Sequence, residues 1–148
     1  MTIMSLFSPT SDIDHPRIVA AIGAAERRTS GEIRVVVSRG KTTEPIVAAQ
    51  EQFERLGMTR TAARNGVLIF LAPRSRTFAV IGDTAVHEKC GAAFWTDLAA
   101  AMTGYFKRGE FTEGIVHGIE RAGALLAAHF PPRPDDRNEL PNDVTETN

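Results

Sequence analysis

The chain has 148 residues, a hydrophobic fraction of 43% and a formal net charge of −1. This length is enough for one domain with its own core, and the near-zero charge provides no overall field that would favour nucleic acid. The single cysteine, Cys90, excludes an intramolecular disulfide and a zinc site built from several cysteines.

The N-terminal third of the chain is predicted to form a helix, a strand and a second helix. The first helix begins near Asp14, has apolar residues at helical spacing and ends at Ser30–Gly31. The β-branched stretch 33–37 predicts a buried strand. Pro45 opens the second helix, and Gly57 ends it.

A β-hairpin follows in the middle of the chain. Two apolar runs of strand length, 67–72 and 77–82, are separated by the polar turn 73–76. A hairpin returns the chain to its starting edge. Residues before the first run are therefore expected to lie beside residues after the second.

The C-terminal half of the chain is predicted to be helical up to two consecutive prolines. Residues 84–90 suggest a short helical turn, 91–106 a third helix and 110–130 a fourth. Residues 1–130 then form one domain. Residues 131–148 carry 2 basic and 5 acidic residues with few apolar anchors, which predicts a disordered tail.

The order of these elements predicts an α/β fold. The first strand, its crossover helix and the second strand form a βαβ unit with parallel strands. The hairpin adds an antiparallel third strand, which makes the small sheet mixed. Helices on both faces give a three-layer α/β/α sandwich.

This topology gathers polar residues at one edge of the sheet. Parallel strands start at the same edge, and the antiparallel third strand ends there, so Glu32, Asn65 and Asp83 are expected to converge. Arg64 is adjacent in sequence to Asn65. The opposite edge is expected to carry Ser38, Arg39, Pro73, Arg74 and Arg76.

The converging residues offer ligands for a divalent metal. Two carboxylates and an amide oxygen are the donors that Ca²⁺ and Mg²⁺ prefer, and His87 is a fourth candidate ligand. Each residue also has a purely structural interpretation. Asn65–Gly66 suits a turn with positive φ, Asp83 suits a helix N-cap, and Glu32 suits a salt bridge with an arginine.

Several motifs of catalytic or nucleotide-binding proteins are missing from the sequence. It contains no GxxxxGK[ST] loop, no GxGxxG after a strand and no GxSxG elbow. It also lacks a recognisable pair of nucleophile and base. Cys90 is expected to be a buried small hydrophobic residue.

These elements together resemble the TPM domain family, over about residues 14–130. That family includes a thylakoid-lumen acid phosphatase, a photosystem II repair protein and an acetylcholine-receptor modulator. The resemblance rests on the order and spacing of Thr29 to Val37, Leu56–Gly57, Arg64 to Ile69, Arg76, Ile81 to Asp83, Gly109 to Phe111 and Gly114–Ile115.

The resemblance implies an α/β/α sandwich, bound divalent metal such as calcium in some members, and weak phosphatase activity in the thylakoid branch. We expect first a metal-binding regulatory module that acts on a protein partner, which the family suggests is membrane-associated. The alternatives are a weak metal-assisted phosphatase with Asp83, Asn65 and Arg64 in its site, and a structural interaction domain.

The location of the protein is also an expectation from sequence. No run of about 18 apolar residues predicts a membrane span. The first 14 residues lack the basic start and apolar stretch of a secretory signal. We therefore expect a cytoplasmic protein that binds no nucleic acid.

Overall fold

The structure, a computed structural model, describes residues 13–132 and 144–147. Within these residues a four-stranded sheet has the order β3-β2-β1-β4, in which β1 is parallel to β2 and β4 and β3 is antiparallel to β2. The helices are α1 (His15–Glu26), α2 (Pro45–Arg55), α3 (Thr84–Lys107) and α4 (Phe111–His129), and the strands are β1 (Glu32–Ser38), β2 (Gly66–Ala72), β3 (Thr77–Gly82) and β4 (Val144–Thr147).

The sheet is covered on both faces, which confirms the predicted α/β/α sandwich. Side chains alternate between the two faces of a strand. One set of β1 and β2 side chains packs with α1, α3 and α4 in the larger core, and the other set packs with α2 in a smaller core. Every residue of β1 and β2 is buried, as near-continuous apolar strands between two layers should be.

The fourth strand is a correction to the sequence analysis. Residues 144–147 pair in parallel with β1, with Val35 opposite Val144 and Ser38 opposite Thr147. The predicted disordered tail therefore does not apply to these four residues, because pairing with β1 satisfies backbone groups at an otherwise open edge. Residues 1–12, 133–143 and 148 lie outside the described part of the chain.

The starts of α1 and α2 follow the predicted residues, but α1 ends at Glu26, before the predicted stop at Ser30–Gly31. The Asp14 carboxylate accepts a hydrogen bond from the Arg17 backbone N–H at 3.0 Å and caps α1. Gly91 has φ 74° and interrupts α3, where the sequence predicted a short helical turn followed by a new helix. Among the described helices, none combines the length and the apolar character needed to cross a membrane.

The contact between α1 and α4 is close because Gly123 has no side chain. A Cβ atom at Gly123 would lie 2.8 Å from the Cβ of Ala25 and 3.6 Å from its Cα. These atoms belong to the body of α1 rather than to a flexible side chain. Any larger residue at position 123 must therefore push the two helices apart.

We predict that Gly123→Ala lowers the free energy of unfolding by about 1–3 kcal/mol through overpacking. The matched control is Gly104→Ala in α3, where the new Cβ meets nothing nearer than the Arg108 guanidinium at 3.8 Å. That variant should gain roughly 0.5–1 kcal/mol from helix propensity. Urea denaturation of both variants tests the contrast, and a stabilised Gly123→Ala protein would contradict the close packing.

Candidate functional site

The sheet register places the predicted polar edge as the topology requires. Glu32 of β1 lies opposite Gly66 of β2, and the Asp83 backbone N–H donates to the Gly66 carbonyl at 2.9 Å. Neighbouring strands are about 4.8 Å apart, so the backbones of Glu32 and Asp83 are separated by about 10 Å. The backbones of the predicted residues therefore lie at one edge. The contacts of their side chains determine whether they can form a site.

Asp83 has two structural partners at the start of α3. Arg64 donates from Nε to Oδ2 at 2.7 Å and from Nη2 to Oδ1 at 2.8 Å. Asp83 Oδ1 also accepts from the Thr84 backbone N–H at 2.7 Å, as an N-cap residue does. The Asp83 side chain is 4% exposed and that of Arg64 is 46% exposed. The carboxylate of the pair is therefore buried, and the guanidinium lies toward solvent.

Glu32 belongs to a buried ion-pair network on the other side of the edge. Arg34 Nη2 donates to Glu32 Oε2 at 3.2 Å, and Arg34 Nη1 donates to Glu26 Oε2 at 3.0 Å. The side chains of Glu26, Arg34 and Glu32 are 9%, 5% and 3% exposed. Two carboxylates thus share one guanidinium in a water-poor environment, and burial raises the pKa of Glu26.

This network also completes the hydrogen bonding of β1. The Ile33 backbone N–H donates to Glu26 Oε2 at 2.7 Å, and the Ile33 carbonyl accepts from Arg34 Nη1 at 2.5 Å. Among residues 13–132 and 144–147, the pairing of β4 with β1 begins at Val35. The Glu26 and Arg34 side chains therefore satisfy the backbone N–H and carbonyl of Ile33.

The side-chain amide of Asn65 forms its hydrogen bond with neither Glu32 nor Asp83. Its Nδ2 donates to the Ser30 hydroxyl at 3.2 Å, and the residue is 1% exposed. The predicted turn with positive φ is also displaced by one position, because Arg64 has φ 53° and Asn65 is not among the positive-φ residues. The left-handed backbone at Arg64 directs the chain into β2.

A pocket of about 580 Å³ opens beside Asp83, between α2, the end of β3 and the start of α3. Asp83 and His87 line it, whereas Glu32, Asn65 and Arg64 do not. Three carboxylates and no lysine or arginine are found among its lining residues. These residues are Gln50, Phe53, Glu54, Thr59, Ile81, Gly82, Asp83, Thr84, His87 and Glu88.

His87 is held at the rim of this α2–α3 pocket by an indole. Trp95 Nε1 donates to His87 Nδ1 at 3.1 Å. Trp95 can lie there because Gly82 has no side chain, since a Cβ at Gly82 would come within 2.8 Å of the Trp95 ring. Because an indole N–H can only donate, His87 Nδ1 is the acceptor of this hydrogen bond.

The predicted metal ligands do not form a ready-made metal site. Glu32 is committed to Arg34, both Asp83 oxygens are committed to Arg64, and Asn65 donates to Ser30. Across residues 13–132 and 144–147, no three His, Cys, Asp or Glu side chains are grouped closely enough to hold a metal ion. The four predicted ligands as arranged here do not fit a directly coordinated calcium.

Comparison with known proteins places the chain in a family. The model of the TPM domain matches residues 6–125. The chain belongs to the TPM domain family. The structure is similar to the NMR structure of the BA42 protein from the psychrophilic bacterium Bizionia argentinensis, with 39% identity, a TM-score of 0.81, and coverage of 89% of this chain and 91% of that one.

A second solved structure supports the TPM fold. The N-terminal domain of cg2496 from Corynebacterium glutamicum is 17% identical, with a TM-score of 0.60, and the match covers 93% of this chain and 82% of that one. At this identity the likeness concerns the fold alone. A comparison with curated proteins gave no significant match.

The contribution of α2 to the pocket of this TPM domain was not predicted from the sequence. Gln50 and Glu54 are four residues apart on one helix face and both line the pocket. A signal for them exists, because α2 leads into β2 and its C-terminal end must lie near the edge where β2 begins.

The raised pKa of Glu26 predicts a pH-dependent stability. Because the folded-state pKa lies above the ordinary value of 4.5, the stability that Glu26 contributes is present below that pH and is lost as pH rises through the folded-state pKa. The free energy of unfolding of the wild-type protein, relative to Glu26→Gln, should therefore fall as pH rises above 4.5. Urea denaturation from pH 4 to pH 8 measures the difference, and a flat difference would show that burial does not control this carboxyl.

Proposed function

We propose that this TPM domain is a binding module and that the α2–α3 pocket receives a positively charged ligand. The observation that carries the proposal is the composition of the lining. Glu54, Asp83 and Glu88 contribute carboxylates, and no lysine or arginine lines the pocket. Even with Asp83 paired to Arg64, two carboxylates have no cation in the lining to balance them.

A hydrated divalent cation is the first ligand that we propose. The pocket of about 580 Å³ is much larger than a bare ion, and its carboxylates are too dispersed for three of them to hold one metal. Mg²⁺ commonly keeps several waters and binds through one or two carboxylates, and weakly bound Ca²⁺ has dissociation constants of about 10⁻⁴–10⁻³ M. Glu54 and Glu88 are exposed and suit this kind of binding.

The carboxylates that line the pocket favour cation binding over phosphatase activity. A phosphate monoester is a dianion near neutral pH, and it would meet only carboxylates as charged groups in the lining. Arg64, the cation expected to assist such chemistry, is engaged with both oxygens of Asp83. Phosphate-ester hydrolysis at this site would require a cation to bind first.

A thermal-shift titration with CaCl₂ and MgCl₂ tests the proposal. Binding to the folded state should raise Tm by mass action, with a gain of about 2.7 kcal/mol at a hundred-fold excess over Kd. Glu54→Gln and Glu88→Gln should each reduce the rise. The matched control is Glu51→Gln, which removes an exposed carboxylate of α2 that does not line the pocket. Asp83→Asn is unsuitable because Asp83 caps α3 and pairs with Arg64.

Three outcomes of this experiment have distinct meanings. Equal shifts in all variants would contradict the assignment of the pocket. A shift with tetramethylammonium but not with either metal would replace the inorganic cation by an organic one. Cation-dependent hydrolysis of a chromogenic phosphate ester that Glu54→Gln abolishes would add the enzymatic function to the binding function.

A further inference from the structure

A second pocket lies at the other end of the β2–β3 hairpin. It has a volume of about 560 Å³ and opens between the hairpin turn and the junction of α3 and α4. Three phenylalanines, Phe78, Phe106 and Phe111, line its interior. This turn pocket is within the size range of small-molecule sites, about 300–1,000 Å³.

The aromatic wall of the turn pocket is fixed by its own contacts. Phe106 meets Phe78 edge to face, with ring centroids 4.8 Å apart, and it stacks with Phe111 at 6.1 Å. The backbone of α4 comes close to Phe106 because Gly114 has no side chain, since a Cβ there would clash with the ring. The apolar surface is therefore largely preformed.

The charged residues of the turn pocket are all cations. Arg76, Lys107 and Arg108 line it, and none of the lining residues is Asp or Glu. Arg76 and Lys107 are exposed at its rim. Arg76 has φ 55°, a left-handed conformation that is uncommon for any residue other than glycine. This conformation ends the hairpin turn and leads the chain into β3, so it fixes the backbone that carries Arg76 at the rim.

Arg108 has a neighbouring carboxylate that a ligand would have to replace. Its Nε and Nη2 donate to Glu110 at 3.2 Å and 3.3 Å, and its guanidinium lies 5.0 Å from the centroid of the Tyr105 ring. Both members of the ion pair are about half exposed, at 56% and 45%, so the pair is weak. An anionic group entering the pocket would compete with Glu110 for Arg108.

We propose that the turn pocket binds an amphipathic anion, an apolar body that carries one carboxylate or phosphate group. The phenylalanines accept the apolar body, and Arg76 and Lys107 bind the anionic head at the rim. Arginine forms paired, charge-assisted hydrogen bonds with both kinds of head group. This proposal is independent of the cation site, because the two pockets share no lining residue.

Isothermal titration calorimetry of the wild-type protein with decanoate and with decyl phosphate tests the ligand class and separates a carboxylate from a phosphate source. Binding of either supports the proposal, and the tighter one identifies the head group. Acetate and inorganic phosphate, which lack the apolar body, and decyltrimethylammonium, which has the opposite charge, should bind at least about tenfold more weakly.

Single substitutions locate the site. Arg76→Gln and Lys107→Gln should each weaken decanoate binding by about fivefold to tenfold. Arg74→Gln is the matched control, because Arg74 is exposed in the same turn and does not line the pocket. Glu110→Gln should strengthen binding several-fold by releasing Arg108, an effect that simple loss of structure would not produce.

Defined outcomes would overturn the proposal. No measurable binding of decanoate or decyl phosphate would remove the ligand class. Equal binding of decyltrimethylammonium would show a nonspecific apolar surface. Identical weakening by Arg74→Gln and Arg76→Gln, in proteins with unchanged circular dichroism, would show a general charge effect rather than a site.

Discussion

The antiparallel return of β3 along β2 determines where both pockets lie. The Asp83 N–H bonds the Gly66 carbonyl at the open end of the hairpin, and the 73–76 turn closes the other end. Six residues of β3 place these ends about 20 Å apart. The carboxylates of the α2–α3 pocket gather at the open end, and the cations of the turn pocket gather at the turn. A shift in the β2–β3 register would displace both sets together.

The buried carboxylates at the open end are already bound by arginines and backbone groups, and these contacts limit their chemistry. Glu26 and Arg34 bond the Ile33 backbone, and Arg64 neutralises Asp83 at the start of α3. Breaking such a buried pair leaves an uncompensated charge. A ligand that bound Glu32 or Asp83 would have to offset the free energy lost by breaking the ion pair. Binding to an exposed carboxylate such as Glu54 breaks no buried ion pair, so such residues are the better candidates for binding a cation.

The sequence predicts the sheet edge better than it predicts the site. Apolar periodicity and turn residues identify β1, β2, β3 and the helices, and strand direction then brings Glu32 near Asp83. Hydrogen-bond partners do not follow from topology, because strand direction does not reveal that Arg34 pairs with Glu32 and Arg64 pairs with Asp83. β4 escapes detection for another reason. Four residues, Val144–Thr147, are too few to show a period within a polar segment, and only the open edge of β1 makes them a strand.

The small net charge of the protein conceals two pocket linings of opposite charge. Opposite charges would cancel at a distance if they were mixed over the surface, and the formal total of −1 suggests such mixing. In this fold the two clusters are about 20 Å apart along the hairpin. The Debye length at physiological ionic strength is about 8 Å, so neither cluster substantially weakens the field of the other. The α2–α3 pocket can therefore attract a cation, and the turn pocket can attract an anion. The net charge of the sequence would not reveal this difference.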